Sequence, residues 1–342
     1  MKKEADSIVL ICNPRAGGRW KQLAGILDSA EAQQVRRVVT DSIEDIGPAL
    51  VSLSQRVKLV CIYGGDGTIQ KILSSTFQNL GDTSPPVCLV GGGTMNVTAR
   101  WCGWTASPEK NFRRVVHDYL TDKLVTREVP LLEIRQGGRT EYGFTFGAGS
   151  VIRVLDAYER SEKGGRAAIQ IASKAVLSAW TRFFPTFRGL LEPIRAEILA
   201  DGVPLAADRF TVVFCNTTGH VERGIRPFTR ARERETFYLL AYSSSPGEIA
   251  ALFPLLANGI VPIDPKSLLR PVSVWKQMAL AYLGQGSLPT DPRYVNRIAR
   301  EVVFRSGERV FTIDGEIFES SGEPLTVRLG PTLRLAIRRL RR

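Results

Sequence analysis

Histidine is nearly missing from this sequence: His117 and His220 are the only two in 342 residues. A histidine-based metal site or a catalytic triad is therefore a poor expectation. Cysteine is sparse as well, five in all with no C-x-x-C spacing. An odd number without pairing signals argues against a disulfide scaffold and for a reducing compartment. Cys12, Cys61 and Cys88 fall in or beside short apolar segments and read as packing residues rather than nucleophiles. No apolar run approaches membrane-spanning length. The stretch Met1 to Ser7 lacks the apolar core and cleavage site of a signal peptide, so the chain reads as cytoplasmic. Internal repeats and low-complexity tracts are absent too.

What is present is an ordinary globular composition, 44% apolar and 23% charged, which excludes a disordered chain. The length allows two domains with cores of their own. The formal charge is +12, from 46 basic and 34 acidic residues. That favours an anionic partner: nucleic acid, an anionic membrane surface or a phosphorylated substrate. Five arginines crowd the last nine residues, Arg334, Arg338, Arg339, Arg341 and Arg342. They suit either a membrane surface or a solvated basic tail.

The most informative stretch runs from Val60 to Leu73. A short apolar strand, Lys58 to Tyr63, meets Gly64-Gly65-Asp66-Gly67-Thr68, and a helix follows with Ile69, Ile72 and Leu73 on one face. Thr68 or Asp66 is the expected cap. A glycine turn that opens a helix is a phosphate cradle, because free N–H groups and the positive helix end both point at an anion. Strands are also expected at Ser7 to Cys12, Val35 to Val39 and Val87 to Val90, with helices over Trp20 to Ala30, from Ser42 through Ile43, Ile46, Leu50 and Leu53, and from Ser107 to Leu120. This alternation predicts an open parallel sheet. Ligands bind at the carboxyl ends of such strands. Three loops there carry small or polar residues: one near Asn13, one at Gly64 to Thr68 and one at Gly91 to Asn96.

From about Lys123 the pattern becomes strand-rich. Strands are expected at Val125 to Ile134, Arg139 to Phe146, Ile194 to Leu199, Phe210 to Cys215, Phe237 to Tyr242, Val302 to Phe304, Val310 to Ile313 and Leu325 to Leu329. Helices are expected at Ala167 to Phe184 and Pro246 to Ala257. Near the end, Asp314-Gly315-Glu316 puts two carboxylates across a glycine where a strand turns. Asp-Gly is a common hairpin turn. Beside a phosphate site the same Asp could accept a proton from an attacking hydroxyl, with Glu316 helping to hold a metal ion.

Taken together, these stretches resemble the diacylglycerol kinase catalytic-domain family, in its bacterial lipid-kinase branch, which is similar to the sphingosine and ceramide kinases. Asn13-Pro14-Arg15-Ala16-Gly17 matches its N-P-x-S/A-G loop, Gly64 to Thr68 its G-G-D-G-T signature, Gly93-Thr94-Met95-Asn96 its G-T-x-N loop and Asp314-Gly315-Glu316 its late D-G-E. Phe146-Gly147-Ala148-Gly149 and Val213-Phe214-Cys215-Asn216 look like two further landmarks. The resemblance implies an α/β + β fold. A Rossmann-like parallel α/β nucleotide-binding domain, similar to NAD kinases and phosphofructokinases, would span 1–124, and a β-sandwich lipid domain 125–330. A basic tail at 331–342 would be free to return to the first domain.

The resemblance also implies ATP and Mg2+, with γ-phosphoryl transfer to a lipid hydroxyl. Asn13, Pro14, Arg15, Ala16, Gly17, Thr40, Gly64, Gly65, Asp66, Gly67, Thr68, Gly93, Thr94 and Asn96 would hold the nucleotide. Asp66 would be a metal ligand, Asp314 the general base and Glu316 its neighbour. Two departures stand out. Asn96-Val97 replaces the usual N-D pair, and Arg230 to Phe237 lacks the acidic segment that binds a structural magnesium, so no such metal is expected. A lipid kinase would associate peripherally with an anionic membrane through basic patches, with no specific nucleic acid and with a homodimer left open. The stretch Lys174 to Phe184, with Phe187-Arg188, mixes aromatic and basic residues and suits either a headgroup interface or the domain core. The rival readings are an NAD kinase-like enzyme on a soluble substrate and a catalytically altered nucleotide- or lipid-binding regulator.

Overall fold

The computed structural model describes residues 4–13, 20–39, 42, 56–80, 84–93, 96–159, 174, 178, 189–220, 226–229, 232–263 and 290–338. Among these, the first part of the chain forms β1 (Ile8–Cys12), α1 (Trp20–Leu27), α2 (Ala30–Gln34), β2 (Arg36–Val39), β3 (Leu59–Tyr63), α3 (Asp66–Leu80), β4 (Val87–Leu89), α4 (Val97–Trp101) and α5 (Pro108–Leu120). The strands lie parallel in the order β4-β3-β1-β2. Every residue of β1 and β3 is buried, as parallel strands covered on both faces require. In α5, Phe112, Val115, Val116 and Tyr119 turn one stripe inward, and the Ser107 hydroxyl caps the helix by accepting from the Lys110 N–H.

The single helix expected over Trp20 to Ala30 is two. Ser29 breaks it, because its hydroxyl accepts from the Ala32 N–H and starts α2 afresh. The helix expected from Ser42 lies outside the described residues. So does the one at Ala167 to Phe184, apart from Lys174 and Ser178, which are helical.

The second part supplies β5 (Val125–Gln136), β6 (Arg139–Gly143), β7 (Thr145–Gly149), α6 (Ser150–Glu159), β8 (Ile194–Ala200), β9 (Val203–Pro204), β10 (Arg209–Phe210), β11 (Val212–Asn216), β12 (Phe237–Tyr242), α7 (Pro246–Ala257), β13 (Tyr294–Ala299), β14 (Glu301–Ser306), β15 (Val310–Ile313), β16 (Glu316–Glu319) and β17 (Leu325–Ile337). Six strands form an antiparallel sheet in the order β13-β12-β11-β7-β15-β16. The others join the parallel strands in one sheet of eleven, ordered β10-β8-β14-β17-β4-β3-β1-β2, with β5 on β17, β6 on β5 and β9 on β8. A core that includes Leu132, Ile134, Phe146, Ile198, Val213, Val302, Phe311 and Val327 fills the space between the two sheets. This is the expected α/β + β architecture.

Three strand expectations need correction. Arg139 to Phe146 is not one strand, because the chain leaves the larger sheet after Gly143, where β6 pairs with β5, and enters the smaller one at Thr145, where β7 pairs with β11. Phe210 to Cys215 breaks at Thr211 for the same reason: β10 belongs to the larger sheet and β11 to the smaller. The strand at Leu325 does not stop at Leu329, and 331–337 is strand rather than tail. Gly330-Pro331 looks like a terminator but is a bulge, with the register against β5 shifting between Leu329 and Thr332. Past it, β17 stays antiparallel to β5 and reaches β4, pairing Leu335 with Val87. Leu333, Leu335 and Ala336 join the core of the parallel domain. The Trp104 indole N–H donates to the Ala336 carbonyl at 2.8 Å.

All five cysteines are buried and unpaired. Burial pushes the Cys12 and Cys102 thiols up to about 12 and raises those of Cys88 and Cys215 as well. Thiolate, the reactive form, is therefore scarce at neutral pH. A thiol reagent such as an aromatic disulfide should label none of the five in the native protein and all five once it is unfolded. Rapid stoichiometric labelling of the native protein would contradict this packing.

Candidate active site

The residues that directly follow β1, β3 and β4 meet at the carboxyl ends of these strands. Asn13, which follows β1, donates its backbone N–H to the Tyr63 carbonyl at 3.4 Å, and Gly92, which follows β4, donates to the Gly64 carbonyl at 2.7 Å. Gly65 and Gly93 pack backbone to backbone: a Cβ on Gly93 would stand 2.5 Å from the Cα of Gly65. Asn96 adopts a left-handed conformation with φ 50°. Its Oδ1 accepts from the Gly93 N–H and its Nδ2 donates to the Gly93 carbonyl, both at 2.8 Å. The Asn96 amide thus clasps its own loop.

Helix α3 begins at Asp66, inside the glycine turn, and the Ile69 N–H donates to the Gly65 carbonyl at 2.9 Å. Neither Thr68 nor Asp66 is therefore the residue that precedes the helix, as expected from sequence; Gly65 holds that place. The first turn of a fifteen-residue helix is thus built from the Asp-Gly-Thr of this turn, which puts the positive end of the helix beside the glycine turn.

The D-G-E segment belongs to this site. Asp314 and Gly315, with φ of 50° and 88°, form the two-residue turn between β15 and β16, where Ile313 pairs with Glu316. The hairpin reaches the other domain: a Cβ on Gly67 would overlap the Glu316 carboxylate. Glu316 therefore lies against the first turn of α3.

Asp314 sits at a half-buried hairpin tip, with its carboxylate turned onto the backbone between β6 and β7. Oδ1 accepts from the N–H groups of Phe144 at 3.0 Å and Thr145 at 2.8 Å, and Oδ2 shares the Phe144 N–H at 3.0 Å. Burial pushes this carboxyl up to about 7, the two backbone N–H donors pull it down, and the charge of Asp66 pushes it up again. A carboxylate that titrates near neutrality, faced by the Asp66 of a glycine-rich helix start, can accept a proton at physiological pH. Nearby, burial and the charges of Arg226 and Arg127 lower the His220 pKa, and the Arg127 guanidinium stands 5.3 Å from the Trp101 ring centre.

The expected residues Gly64, Gly65, Asp66, Gly67, Thr68, Gly93, Asn96, Asp314 and Glu316 thus gather around one junction, with Asn13 at its edge. Pro14, Arg15, Ala16, Gly17, Thr40 and Thr94 lie outside the described residues. Sequence reading missed Phe144 and Thr145, since backbone N–H groups leave no side-chain signature. It also missed the polar stripe by which α3 holds β6. Gln70 Nε2 donates to Glu141 Oε2 at 3.2 Å and to the Tyr142 carbonyl at 3.1 Å, Ser74 Oγ accepts from the Tyr142 N–H at 2.9 Å, and Gln78 Nε2 donates to the Thr140 carbonyl at 2.9 Å. Their four-residue spacing was the available signal.

A parallel α/β half with glycine-rich strand ends is thus joined to an antiparallel half whose D-G-E hairpin docks onto the glycine turn. Residues 7–126 match the family model of the diacylglycerol kinase catalytic domain. Among solved structures, a diacylglycerol kinase from Bacillus anthracis strain Sterne is 14% identical and covers 98% of this chain and 97% of its own, with a TM-score of 0.59. Two candidate diacylglycerol kinases from the same organism give TM-scores of 0.64 at 16% identity, covering 98% of both chains, and 0.62 at 15%, covering 97% of both. At such identities the likeness is one of fold, and it extends over both domains. No curated protein matches the sequence.

Proposed function

We propose that this chain is an ATP-dependent lipid kinase that transfers the γ-phosphoryl group to the hydroxyl of diacylglycerol or a related lipid, with Asp314 as general base. The observation that carries this reading is the docking of the D-G-E hairpin onto the glycine-rich helix start, with Glu316 over Gly67 and Asp314 facing Asp66. Gly64 to Thr68, Gly93 and the N–H groups of α3 would cradle the phosphates. As the acceptor oxygen bonds to the γ-phosphorus and the bond to the ADP oxygen breaks, the hydroxyl proton passes to Asp314. Phosphoryl transfer asks mainly for such positioning and charge neutralisation.

The donor set suits Mg2+. Among the described residues no group of three or more His, Cys, Asp or Glu forms a metal cage. Mg2+ commonly takes one or two protein carboxylates and completes its shell with phosphates and water. Asp66 would hold it, with Glu316 alongside, and a bound Mg2+ would supply charge neutralisation at the phosphates. No helix among the described residues is long and apolar enough to cross a membrane. The enzyme would therefore meet its lipid at a bilayer surface, drawn there by its basic patches.

The test is transfer of labelled γ-phosphate from ATP-Mg2+ to diacylglycerol, monoacylglycerol, ceramide and sphingoid base in mixed micelles. Phosphorylation of one of these is the expected result. Protein that binds ATP yet labels none of the four would overturn the lipid assignment.

A further inference from the structure

The carboxylate of Asp314 is held by two consecutive backbone N–H groups, those of Phe144 and Thr145. That dipeptide lies where the chain crosses between sheets: Phe144 stands between β6 and β7, and Thr145 opens β7, where its carbonyl accepts from the Asp314 N–H at 3.0 Å. A second device grips it from the opposite side. Asn216, fully buried, ends β11 directly across from Thr145. Its Nδ2 donates to Thr145 Oγ1 at 2.8 Å and to the His220 carbonyl at 3.1 Å. Its Oδ1 accepts from the Thr218 N–H at 2.8 Å, the Gly219 N–H at 2.6 Å and the Thr218 hydroxyl at 3.2 Å. The next residue, Thr217, donates its N–H to the Phe144 carbonyl at 3.0 Å. The Asn216 turn thus takes the Phe144 carbonyl and the Thr145 hydroxyl, and leaves both N–H groups of the dipeptide for Asp314.

The arrangement is asymmetric at the carboxylate. Oδ1 receives two donors, whereas Oδ2 only shares the Phe144 N–H. Oδ2 is the freer oxygen for an incoming proton. Its direction is set by how firmly the dipeptide is held, and a misplacement of about 1 Å near reacting atoms can cost roughly a hundredfold in rate.

We propose that Asn216 is a positioning residue for phosphoryl transfer: through Thr145 it fixes the two backbone donors that aim the Asp314 carboxylate at the acceptor hydroxyl. This rests on the reading of Asp314 as general base given above.

The experiment uses Thr145→Val, Thr145→Ser and Asn216→Ala in the full chain. Thr145→Val removes the hydroxyl that Asn216 grips and keeps the side-chain volume, so it stays informative even if Asn216→Ala fails to fold. Thr145→Val is expected to lower kcat about tenfold to a hundredfold, with KM for ATP-Mg2+ and lipid within about twofold of wild type. Thr145→Ser keeps the hydroxyl and should recover most of kcat. In an Asp314→Asn background, Thr145→Val should add no further loss, because its effect passes through that carboxylate. A wild-type kcat in Thr145→Val, an equal loss in Thr145→Ser, or an undiminished loss in the Asp314→Asn background would each overturn the proposal.

A second readout needs no turnover. Site-resolved amide exchange at Phe144 and Thr145 should quicken about tenfold in Thr145→Val while the amides of β11 hold. Unchanged exchange at these two amides overturns the grip itself. If the wild type labels no lipid, the kinase reading falls, and exchange still decides whether Asn216 holds the dipeptide.

Discussion

Asp314→Asn should cut phosphoryl transfer by about a hundredfold to ten-thousandfold, the usual contribution of a positioned general base. An asparagine keeps the volume and still offers Oδ1 to the N–H groups of Phe144 and Thr145, so the hairpin should stay docked. It cannot take the proton. The pH profile supplies the sharper check. Burial, with the Asp66 charge added, lifts the Asp314 carboxyl from 3.8 to about 7 despite its two backbone donors. Below that pH the base is protonated, so kcat/KM should fall about tenfold per pH unit as the medium is acidified from neutrality. An acid limb centred near pH 4 would show that another group sets the rate.

The stability consequence has the opposite sense. The folded pKa is raised above the unfolded one, so this group's stabilisation is fully present below pH 3.8 and is lost as pH rises through about 7. At pH 8 the nucleotide-free wild type pays for an ionised, crowded carboxylate that Asp314→Asn lacks. The variant should then melt no lower than wild type at pH 8 while being nearly inactive. Thermal scans at pH 5 and pH 8 read this directly.

Gly93→Ala should have the second largest effect, on nucleotide binding and stability together. The new methyl would meet the backbone of Gly65 at 2.5 Å, and backbone cannot rotate aside as a side-chain tip can. Forcing a methyl into closed packing costs about 1–3 kcal/mol. Here the strain separates the second loop from the third, so ATP affinity should drop by at least about tenfold, since tenfold corresponds to 1.4 kcal/mol. Gly67→Ala is the informative contrast. Its methyl would meet only the carboxylate end of Glu316, which can swing away. That variant should fold nearly as well as wild type and bind ATP, yet transfer the phosphoryl group more slowly. Calorimetry with an unreactive ATP analogue separates the two. Equal ATP affinity in Gly93→Ala and wild type would mean that the loop contact is not part of the nucleotide site.

The contrast between these glycines reflects what sequence could and could not reveal. Gly64 to Thr68 was legible because a buried strand, a glycine cluster and an amphipathic helix follow one another within fourteen residues, each with its own periodic signature. The parallel sheet and the strand-rich second half were legible for the same reason. What escaped was long-range. Asp314 and Phe144 are 170 residues apart, and no local pattern marks a backbone N–H reserved for a distant carboxylate. The breaks at Phe144 and Thr211 were invisible because apolar, β-prone residues continue across them, while the chain changes partners underneath. The end of the last strand escaped for the opposite reason, since β17 runs on through the bulge at Gly330-Pro331, where two flanking strands hold the ribbon together.

The far end of that ribbon has a consequence for biosynthesis. The edge of β4 is completed by Leu335, and Ala336 accepts the indole proton of Trp104. The segment that matches the catalytic-domain model ends at residue 126, so the ribosome must add roughly two hundred more residues before this half of the molecule receives its closing strand. At about 5–20 residues per second, the wait is on the order of 10–40 seconds. Through that interval the nascent chain exposes a hydrophobic sheet margin beside its glycine-rich loops. The parallel half is then completed late in translation, almost in the same moment as the antiparallel half.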